Sequence, residues 1–292
     1  MIKGLILKGV GGKYTIKTQQ GIFISELRGS IKYSNDRPIV GDFVEMEIID
    51  EKNNKGMIKT ILPRKTKLHR PLVSNVSQAI IVFAIKDPDP HLNLLDRLLV
   101  FVEHSGLKAI ICFNKSDIDH TNKVEEYKAL YENAGYKVII TSAVENLGKE
   151  ELKEVLDNEI SVFAGPSGVG KSSLLNMIQP NLELRVGEIS KKIRRGKHTT
   201  RHTELISLKT GGWVVDTPGF ANLDISFIDK FDLGEYFPEI KEASYLCKFN
   251  NCMHINEPKC EVLKRIEDKR ISKSRYKSYL LILNEIEKNR RY

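Results

Sequence analysis

The chain has 292 residues, of which 41% are apolar and 29% charged, a balance typical of globular proteins with a packed core. No apolar run is long enough to span a bilayer and the N-terminus lacks a signal-peptide cleavage site, so we exclude a membrane protein and expect a cytoplasmic one. The net charge of +8 is concentrated at 191–198 and 264–292, which favours a polyanionic partner such as RNA.

Residues 1–66 alternate apolar and polar side chains over short stretches that are separated by glycine-containing turns. This pattern predicts a β-rich N-terminal domain, either a five-stranded barrel of the OB type or a small sandwich. A barrel of the OB type would be a nucleic-acid binder. The polar, basic stretch at 63–71 lies between two prolines, and we interpret it as a linker.

Residues 67–227 change to continuous apolar runs that alternate with segments of helical spacing. The runs at 79–85 and 109–113 indicate strands that are buried on both faces. The alternation predicts a central α/β domain with a mostly parallel sheet and helices on both faces. Residues 228–292 contain a cysteine and histidine cluster and then lysine-rich helical segments, which predicts a mainly helical C-terminal domain.

A phosphate-binding loop is predicted at 165–173, between a buried strand and a helix. The segment fits G-x-x-x-x-G-K-[ST], in which backbone N–H groups surround phosphates and glycines permit the tight path. We expect Lys171 to reach the β- and γ-phosphates and the Ser172 hydroxyl to bind Mg²⁺. The predicted nucleotide-binding residues of this loop are Gly165, Pro166, Ser167, Gly168, Val169, Gly170, Lys171, Ser172 and Ser173.

A base-reading loop is predicted at Asn114, Lys115, Ser116 and Asp117, after a second buried strand. An aspartate can accept hydrogen bonds from the N1–H and 2-amino groups of guanine, which adenine does not offer, so an adenine-specific site is disfavoured. Asn114 is expected to contact or brace the base edge, and the stem of Lys115 to cover its face. After the next strand, Ser142 and Ala143 are expected to offer backbone N–H groups to guanine O6.

Switch elements that sense the γ-phosphate are predicted at two further positions. Asp216 follows an apolar strand, as expected for a carboxylate that holds Mg²⁺, and the N–H of Gly219 would contact the γ-phosphate. A threonine between the phosphate loop and Asp216 could close over the Mg²⁺. Thr199 and Thr200 are equivalent by position, and we assign Thr200 as the magnesium ligand and as part of the catalytic set with Lys171.

Hydrolysis is expected to be slow in the isolated protein. Small GTPases commonly carry a water-orienting glutamine directly after the glycine that corresponds to Gly219, and Phe220 occupies this place. His198 lies beside the switch threonines and is our candidate catalytic residue. It could position water or sense the γ-phosphate, or it could instead contact only RNA or solvent.

The order of the two loops is reversed relative to an ordinary GTPase domain, in which the phosphate loop comes first. Counted along the chain, the strands correspond to the fourth, fifth and sixth of a standard sheet, followed by the first, second and third. Each strand and loop occurs once. A circular permutation therefore explains the order, and it joins the predicted switch at 216–219 directly to the C-terminal domain.

A metal site is predicted at Cys247, Cys252, His254 and Cys260. Three thiolates and one imidazole fill a tetrahedral shell and leave no open position for water, which is typical of a structural zinc site. Cys112 lies within an apolar strand and is expected to be a core residue.

The whole chain resembles the bacterial ribosome small subunit-dependent GTPase A family. The resemblance rests on the order of the nucleotide motifs, the N-terminal barrel, the C-terminal cluster and the segments 70–101 and 196–205. It implies an OB fold, binding to the small (30S) ribosomal subunit and its rRNA, a role in late maturation of that subunit, and GTP hydrolysis stimulated by it. The implied bound groups are GTP or GDP, Mg²⁺ and one structural Zn²⁺.

Two other functions stay open at this point. The protein could be an RNA-binding module in which GTP is structural, or a permuted GTPase that serves the large subunit. Other assembly factors are possible partners, and we expect a monomer.

Overall fold

The computed structural model describes residues 1–29, 37–180, 203–216, 225 and 227–289. They form two compact units. The first comprises Met1–Gln78, Glu150–Phe163 and Leu175–Phe220, and the second comprises Ala79–Lys149, Ala164–Leu174 and Ala221–Tyr292. Both units are therefore assembled from separated stretches of the chain.

The N-terminal part of the first unit is a closed five-stranded barrel. Its strands are β1 (Ile2–Val10), β2 (Lys13–Thr18), β3 (Gly21–Leu27), β4 (Phe43–Asp50) and β5 (Lys55–Ile61). The neighbours are antiparallel except for the parallel pair β3 and β5, and β1 closes the barrel because it pairs with both β2 and β4. The alternating apolar side chains fill the interior: Ile6, Ile16, Phe23, Val44, Met46 and Ile58. The prediction of an OB-type barrel is confirmed.

The segment interpreted as a linker is ordered, and that interpretation was wrong. Its residues Lys67–His69 form β6, which pairs with β7 (Leu72–Ser74) in a hairpin. The fully buried carboxylate of Asp42 accepts hydrogen bonds from Ser74 Oγ at 2.6 Å and from Arg64 Nε at 2.6 Å. A buried charge of this kind is stable only with such partners, so it fixes the hairpin to the start of β4.

The rest of the chain alternates strands and helices. The elements are β8 (Gln78–Ala84), α1 (Leu92–His104), β9 (Lys108–Asn114), α2 (Lys123–Glu132), β10 (Lys137–Ile140), α3 (Lys149–Leu156), β11 (Ile160–Ala164), α4 (Lys171–Ile178), β12 (Glu204–Ser207), β13 (Trp213–Asp216), α5 (Pro238–Ser244), α6 (Glu261–Glu267) and α7 (Lys273–Asn289). Among the described ranges, no helix is long and apolar enough to cross a membrane.

In the first unit, β13 lies between β11, to which it is parallel, and the antiparallel β12. β12 also pairs with β1 of the barrel at Glu204 and Lys8, whose side chains form an ion pair of 2.8 Å. The barrel and these strands therefore belong to one hydrogen-bonded sheet.

In the second unit, β9 lies between β8 and β10 and is parallel to β10. From Ala79 to Ala84 every residue of β8 is buried, as the continuous apolar run predicted. Cys112 in β9 is also buried, which confirms its assignment to the core.

The C-terminal helices α5, α6 and α7 complete the second unit, and the prediction of a mainly helical region is confirmed. Their core includes Phe237, Ile282 and Val100, the last of which belongs to α1. Ile225 and Ile228 lie in the same cluster and are almost completely buried. The chain that follows the predicted switch is therefore anchored on α1.

Candidate nucleotide and metal sites

The phosphate loop follows β11 and ends where α4 begins, and its glycines are required by the local geometry. Gly165 has a φ of 129°, and a Cβ there would lie 2.1 Å from the carbonyl oxygen of Val82. Gly170 has a φ of 93°, and a Cβ there would lie 2.3 Å from Asn114 Nδ2. Any larger residue would push the loop away from β8 and from the base loop.

Lys171 occupies the first position of α4, and its side chain curls back into the phosphate loop. Its Nζ donates to the carbonyl oxygens of Gly165 at 2.8 Å and of Pro166 at 2.6 Å. Burial lowers the pKa of Lys171. An anion at the helix N-terminus would replace these carbonyls as the partner of the ammonium and would favour its charged form.

The other residues of the phosphate loop differ in exposure. Val169 is buried, Ser172 is half-buried on the first turn of α4, and Ser167, Gly168 and Ser173 are exposed. Ser172 offers a hydroxyl oxygen at the helix N-terminus, which is a type of ligand that Mg²⁺ takes.

Asn114 joins the base loop to the phosphate loop. Its side chain is almost completely buried, and Nδ2 donates to the carbonyl oxygen of Val169 at 2.9 Å. Its Oδ1 accepts from Thr141 Oγ1 at 3.1 Å. These two bonds make Asn114 a link between the loops, and its expected contact with the base edge stays a prediction. The sequence assigned no role to Thr141, although it directly precedes Ser142.

The remaining base-loop residues are held by neighbouring loops. Lys115 adopts left-handed backbone geometry with a φ of 63°, and its Nζ donates to the carbonyl oxygen of Asp87. Ser116 Oγ donates to the Thr141 carbonyl at 3.1 Å, so this residue orients the loop. Asp117 Oδ1 accepts from Ser142 Oγ at 2.6 Å, which fixes the carboxylate.

In the turn after β10, the two residues that were expected to face guanine O6, Ser142 and Ala143, have different hydrogen-bond roles. The N–H of Ser142 donates to the carbonyl oxygen of Leu147 at 3.2 Å, and the N–H of Leu147 donates back at 3.1 Å. Ser142 therefore acts through its hydroxyl on Asp117, and Ala143 is the better candidate for an N–H donor to O6. The sequence predicted both Ser142 and Ala143 as site residues but not that their roles differ.

The predicted switch residues are only partly within the described ranges. Asp216 is half-buried at the end of β13 in the first unit. In the backbone register of the sheet it lies opposite Glu204 of β12. His198, Thr199, Thr200 and Gly219 lie outside the described residues.

The predicted metal ligands Cys247, Cys252, His254 and Cys260 come together, with their ligand atoms all within 4.8 Å of one another. Cys260 Sγ lies 3.4 Å from His254 Nδ1 and 3.9 Å from Cys247 Sγ. Two sulfurs bound tetrahedrally to zinc at about 2.3 Å would be about 3.8 Å apart. The donor set and its spacing therefore fit a zinc ion.

The chain around the metal ligands is fixed by polar contacts. The carboxylate of Glu257 accepts from the N–H groups of Met253 and Ile255, both at 2.7 Å. From α7, Tyr276 donates to the His254 carbonyl at 2.7 Å and Tyr279 donates to the Met253 carbonyl at 2.9 Å. The ligand segment and α7 therefore support each other.

Comparison with known proteins gives matches over the whole chain. The family model described as RsgA GTPase matches residues 59–226, and the one described as RsgA N-terminal domain matches residues 3–58. The chain is 48% identical over 292 residues to the small ribosomal subunit biogenesis GTPase RsgA of Alkaliphilus metalliredigens, covering 100% of both chains. It is 46% identical to the protein of the same name in Caldanaerobacter subterraneus, covering 100% of this chain and 98% of that one.

Two solved structures share the fold. YjeQ from Thermotoga maritima is 36% identical with a TM-score of 0.86 and covers 98% of each chain. YloQ, described as a circularly permuted GTPase, is 35% identical with a TM-score of 0.85, covering 99% of this chain and 96% of YloQ. The central fold is therefore the circularly permuted one predicted from the order of the loops.

Proposed function

Because this chain belongs to the RsgA GTPase family, we propose that it binds and hydrolyses GTP and acts in late maturation of the small (30S) ribosomal subunit. The observation that carries the proposal is the hydrogen bond from Asn114 to Val169, which joins a base loop and a phosphate loop in one unit. The names of full-length relatives support the small subunit as the partner.

In this proposal Asp117 selects guanine. Its carboxylate would accept from the N1–H and 2-amino groups, with Ser142 holding it in place. The stem of Lys115 would cover one face of the base while its ammonium stays on the Asp87 carbonyl. Ala143 would donate its N–H to O6.

The phosphate loop would hold the α- and β-phosphates on its N–H groups, and Lys171 would exchange its carbonyl partners for phosphate oxygens. Ser172, Thr200 and Asp216 would hold Mg²⁺, and the N–H of Gly219 would contact the γ-phosphate. The metal would neutralise charge that develops on the phosphates.

We assign one structural zinc ion to Cys247, Cys252, His254 and Cys260. A closed shell of four protein ligands stabilises a fold and does not activate water. The expected contact surfaces for rRNA are the barrel and the basic segments. Other assembly factors as partners, a monomeric state and a cytoplasmic location stay predictions.

The direct test is the GTPase rate with and without purified ribosomal subunits. We expect slow hydrolysis by the protein alone and a rise of about tenfold or more with small subunits, because a partner can order an incomplete catalytic site. Large subunits should not stimulate, and Lys171→Ala should remove both rates.

Sedimentation with small subunits separates a switch from a structural role of the nucleotide. The proposal expects tighter association with a non-hydrolysable GTP analogue than with GDP. Equal association in both states would favour the RNA-binding module in which GTP is structural. Stimulation by large subunits alone would contradict the assigned partner.

His198→Ala should lower the subunit-stimulated rate by about a hundredfold, the typical loss for a residue that positions water, and leave GTP affinity unchanged. Single-turnover hydrolysis with saturating small subunits measures this rate. His120→Ala is a matched control, because His120 is exposed between β9 and α2. A normal stimulated rate in His198→Ala would remove the catalytic assignment.

A further inference from the structure

A fully enclosed arginine lies in the second unit, where α1, α2, α5 and α7 meet. Arg275 in α7 is 1% exposed. Its Nε and Nη2 donate to the two carboxylate oxygens of Glu239 in α5, at 2.8 and 3.1 Å. Its Nη1 donates to Asp96 Oδ1 in α1 at 2.7 Å. Burial of the Arg275 charge is unfavourable unless both carboxylates are in place. The ion pairs are therefore compatible with only one arrangement of α1, α5 and α7.

Aromatic rings and a hydroxyl complete the enclosure. The guanidinium carbon lies 4.8 Å from the ring centre of Phe237 and 5.5 Å from that of Tyr131 in α2. Tyr131 Oη also donates to Asp96 Oδ1 at 2.9 Å. Burial opposes the charge on Arg275, but the carboxylates of Glu239 and Asp96 outweigh it and raise its pKa well above the usual value.

α1 and α2 are each connected to the base loop by separate contacts. The segment before α1 contains Asp87, whose carbonyl accepts from Lys115 Nζ. It also contains Pro88, whose Cδ lies 3.8 Å from the position that a Cβ on Gly168 of the phosphate loop would take. A shift of α1 would therefore move the group that holds Lys115.

The second route runs through α2. The ring of Tyr131 packs against Phe113 with 6.1 Å between ring centres, and Phe113 directly precedes Asn114. Tyr131 thus contacts both Arg275 and the strand end that carries the base loop.

We propose that Arg275 is a positioning residue for the base loop. Through Asp96 and Tyr131 it holds α1 and α2 in the positions from which they support Lys115 and Asn114. The inference rests on the proposed guanine-binding function. It assigns the C-terminal helices a part in nucleotide affinity although none of their residues belongs to the loops that bind the nucleotide.

Equilibrium binding of fluorescent GDP and competition by IDP, which lacks the 2-amino group, test the proposal. Arg275→Met should raise the Kd for GDP roughly tenfold and reduce the preference for GDP over IDP, because a base loop displaced at Asn114 and Lys115 also displaces Asp117, which follows them in the same loop. Tyr131→Phe removes only the hydroxyl bond to Asp96 and should raise the Kd roughly threefold.

Arg265→Met is the matched control for a purely structural effect. Arg265 is a mostly buried arginine of the same region and pairs with Glu242 at 2.8 Å and Glu261 at 3.5 Å. These two partners lie on α5 and α6 and not on α1 or α2. We expect Arg265→Met to lower thermal stability without changing either Kd.

The outcomes are separable. Absence of GDP binding by the wild-type chain would overturn the proposed function itself. Normal GDP affinity and GDP-over-IDP preference in Arg275→Met, with reduced thermal stability, would reduce Arg275 to a structural residue. If Arg275→Met does not fold, Tyr131→Phe decides, and a Kd equal to that of the wild type would overturn the inference.

Discussion

Asp117→Asn is expected to change the base preference from guanine to xanthine. The asparagine amide would face the 2-amino group of guanine with a donor, whereas xanthine presents a carbonyl there. Two hydrogen bonds to a charged acceptor, each worth about 1.5–3 kcal/mol, would be lost. GTP affinity should therefore fall by about a hundredfold or more, with xanthosine triphosphate as the preferred ligand.

Asp119→Asn is the matched control for this substitution, because Asp119 is a neighbouring carboxylate with a different task. It accepts from the N–H groups of Val124 at 2.8 Å and Thr121 at 3.1 Å, which caps the start of α2. The control should bind GTP normally. Competition binding with both triphosphates measures the change, and GTP preference in Asp117→Asn would refute the base-loop assignment.

The geometry of the loop at 165–173 and the clustering of the three cysteines with His254 could be predicted from the sequence because the signal is local. In the phosphate loop, Gly165 and Gly170 are required by positive φ and close backbone approach, so glycine spacing reports the geometry directly. In the same way, the order of motifs was sufficient to predict the permutation, since each loop follows its own strand.

Roles that depend on distant partners could not be predicted. Asn114 acts as a brace because Val169 lies beside it in space, and nothing in the local motif specifies that contact. The hairpin of β6 and β7 has strands of three residues, too short for a periodic signal, and it depends on buried Asp42.

In the basic C-terminal segment, too, the contacts of the charged residues could not be predicted from the sequence. Its charge favoured an RNA contact, but Arg275 is enclosed by Glu239 and Asp96, and Arg265 is paired with Glu242. Charge density along the sequence does not distinguish a cation that faces solvent from one that faces a buried carboxylate.

The structure shows which element the chain contacts between the predicted switch and the C-terminal helices. The permutation joins them directly in sequence, which suggested that a change at 216–219 is passed to the C-terminal region. Ile225 and Ile228 are buried in one cluster with Val100 of α1. The C-terminal helices are therefore fixed to α1, and α1 is the element through which we expect them to communicate with the nucleotide.

Loss of the proposed zinc ion is expected to have the largest effect on stability. Cys260→Ala deletes one of four ligands and should abolish stoichiometric zinc binding. Structural zinc sites contribute about 10–16 kcal/mol of apparent binding free energy, which is comparable to the whole stability of a domain. We therefore expect the segment from 245 to 260 to lose its fixed structure, measured as zinc content per chain and as new protease cleavage there.

Cys112→Ala is the control, because Cys112 is the one cysteine outside the cluster. Its thiol lies 3.2 Å from Thr141 Oγ1 within the core. The substitution should cost about 1 kcal/mol from lost packing and leave zinc content unchanged. Full zinc content and normal protease resistance in Cys260→Ala would contradict the metal assignment.

The structure also predicts how far the effect of metal loss should extend. Tyr276 and Tyr279 hold α7 against the ligand segment, and Arg275 precedes them on the same helix. If α7 loosens without the metal, Arg275 loses its fixed position between Asp96 and Glu239. Removal of zinc with a zinc-selective chelator in excess Mg²⁺ should then weaken GDP binding in the wild-type chain by roughly the same factor as Arg275→Met. The same treatment of the Arg275→Met variant should add little further loss, because both changes act on one linkage.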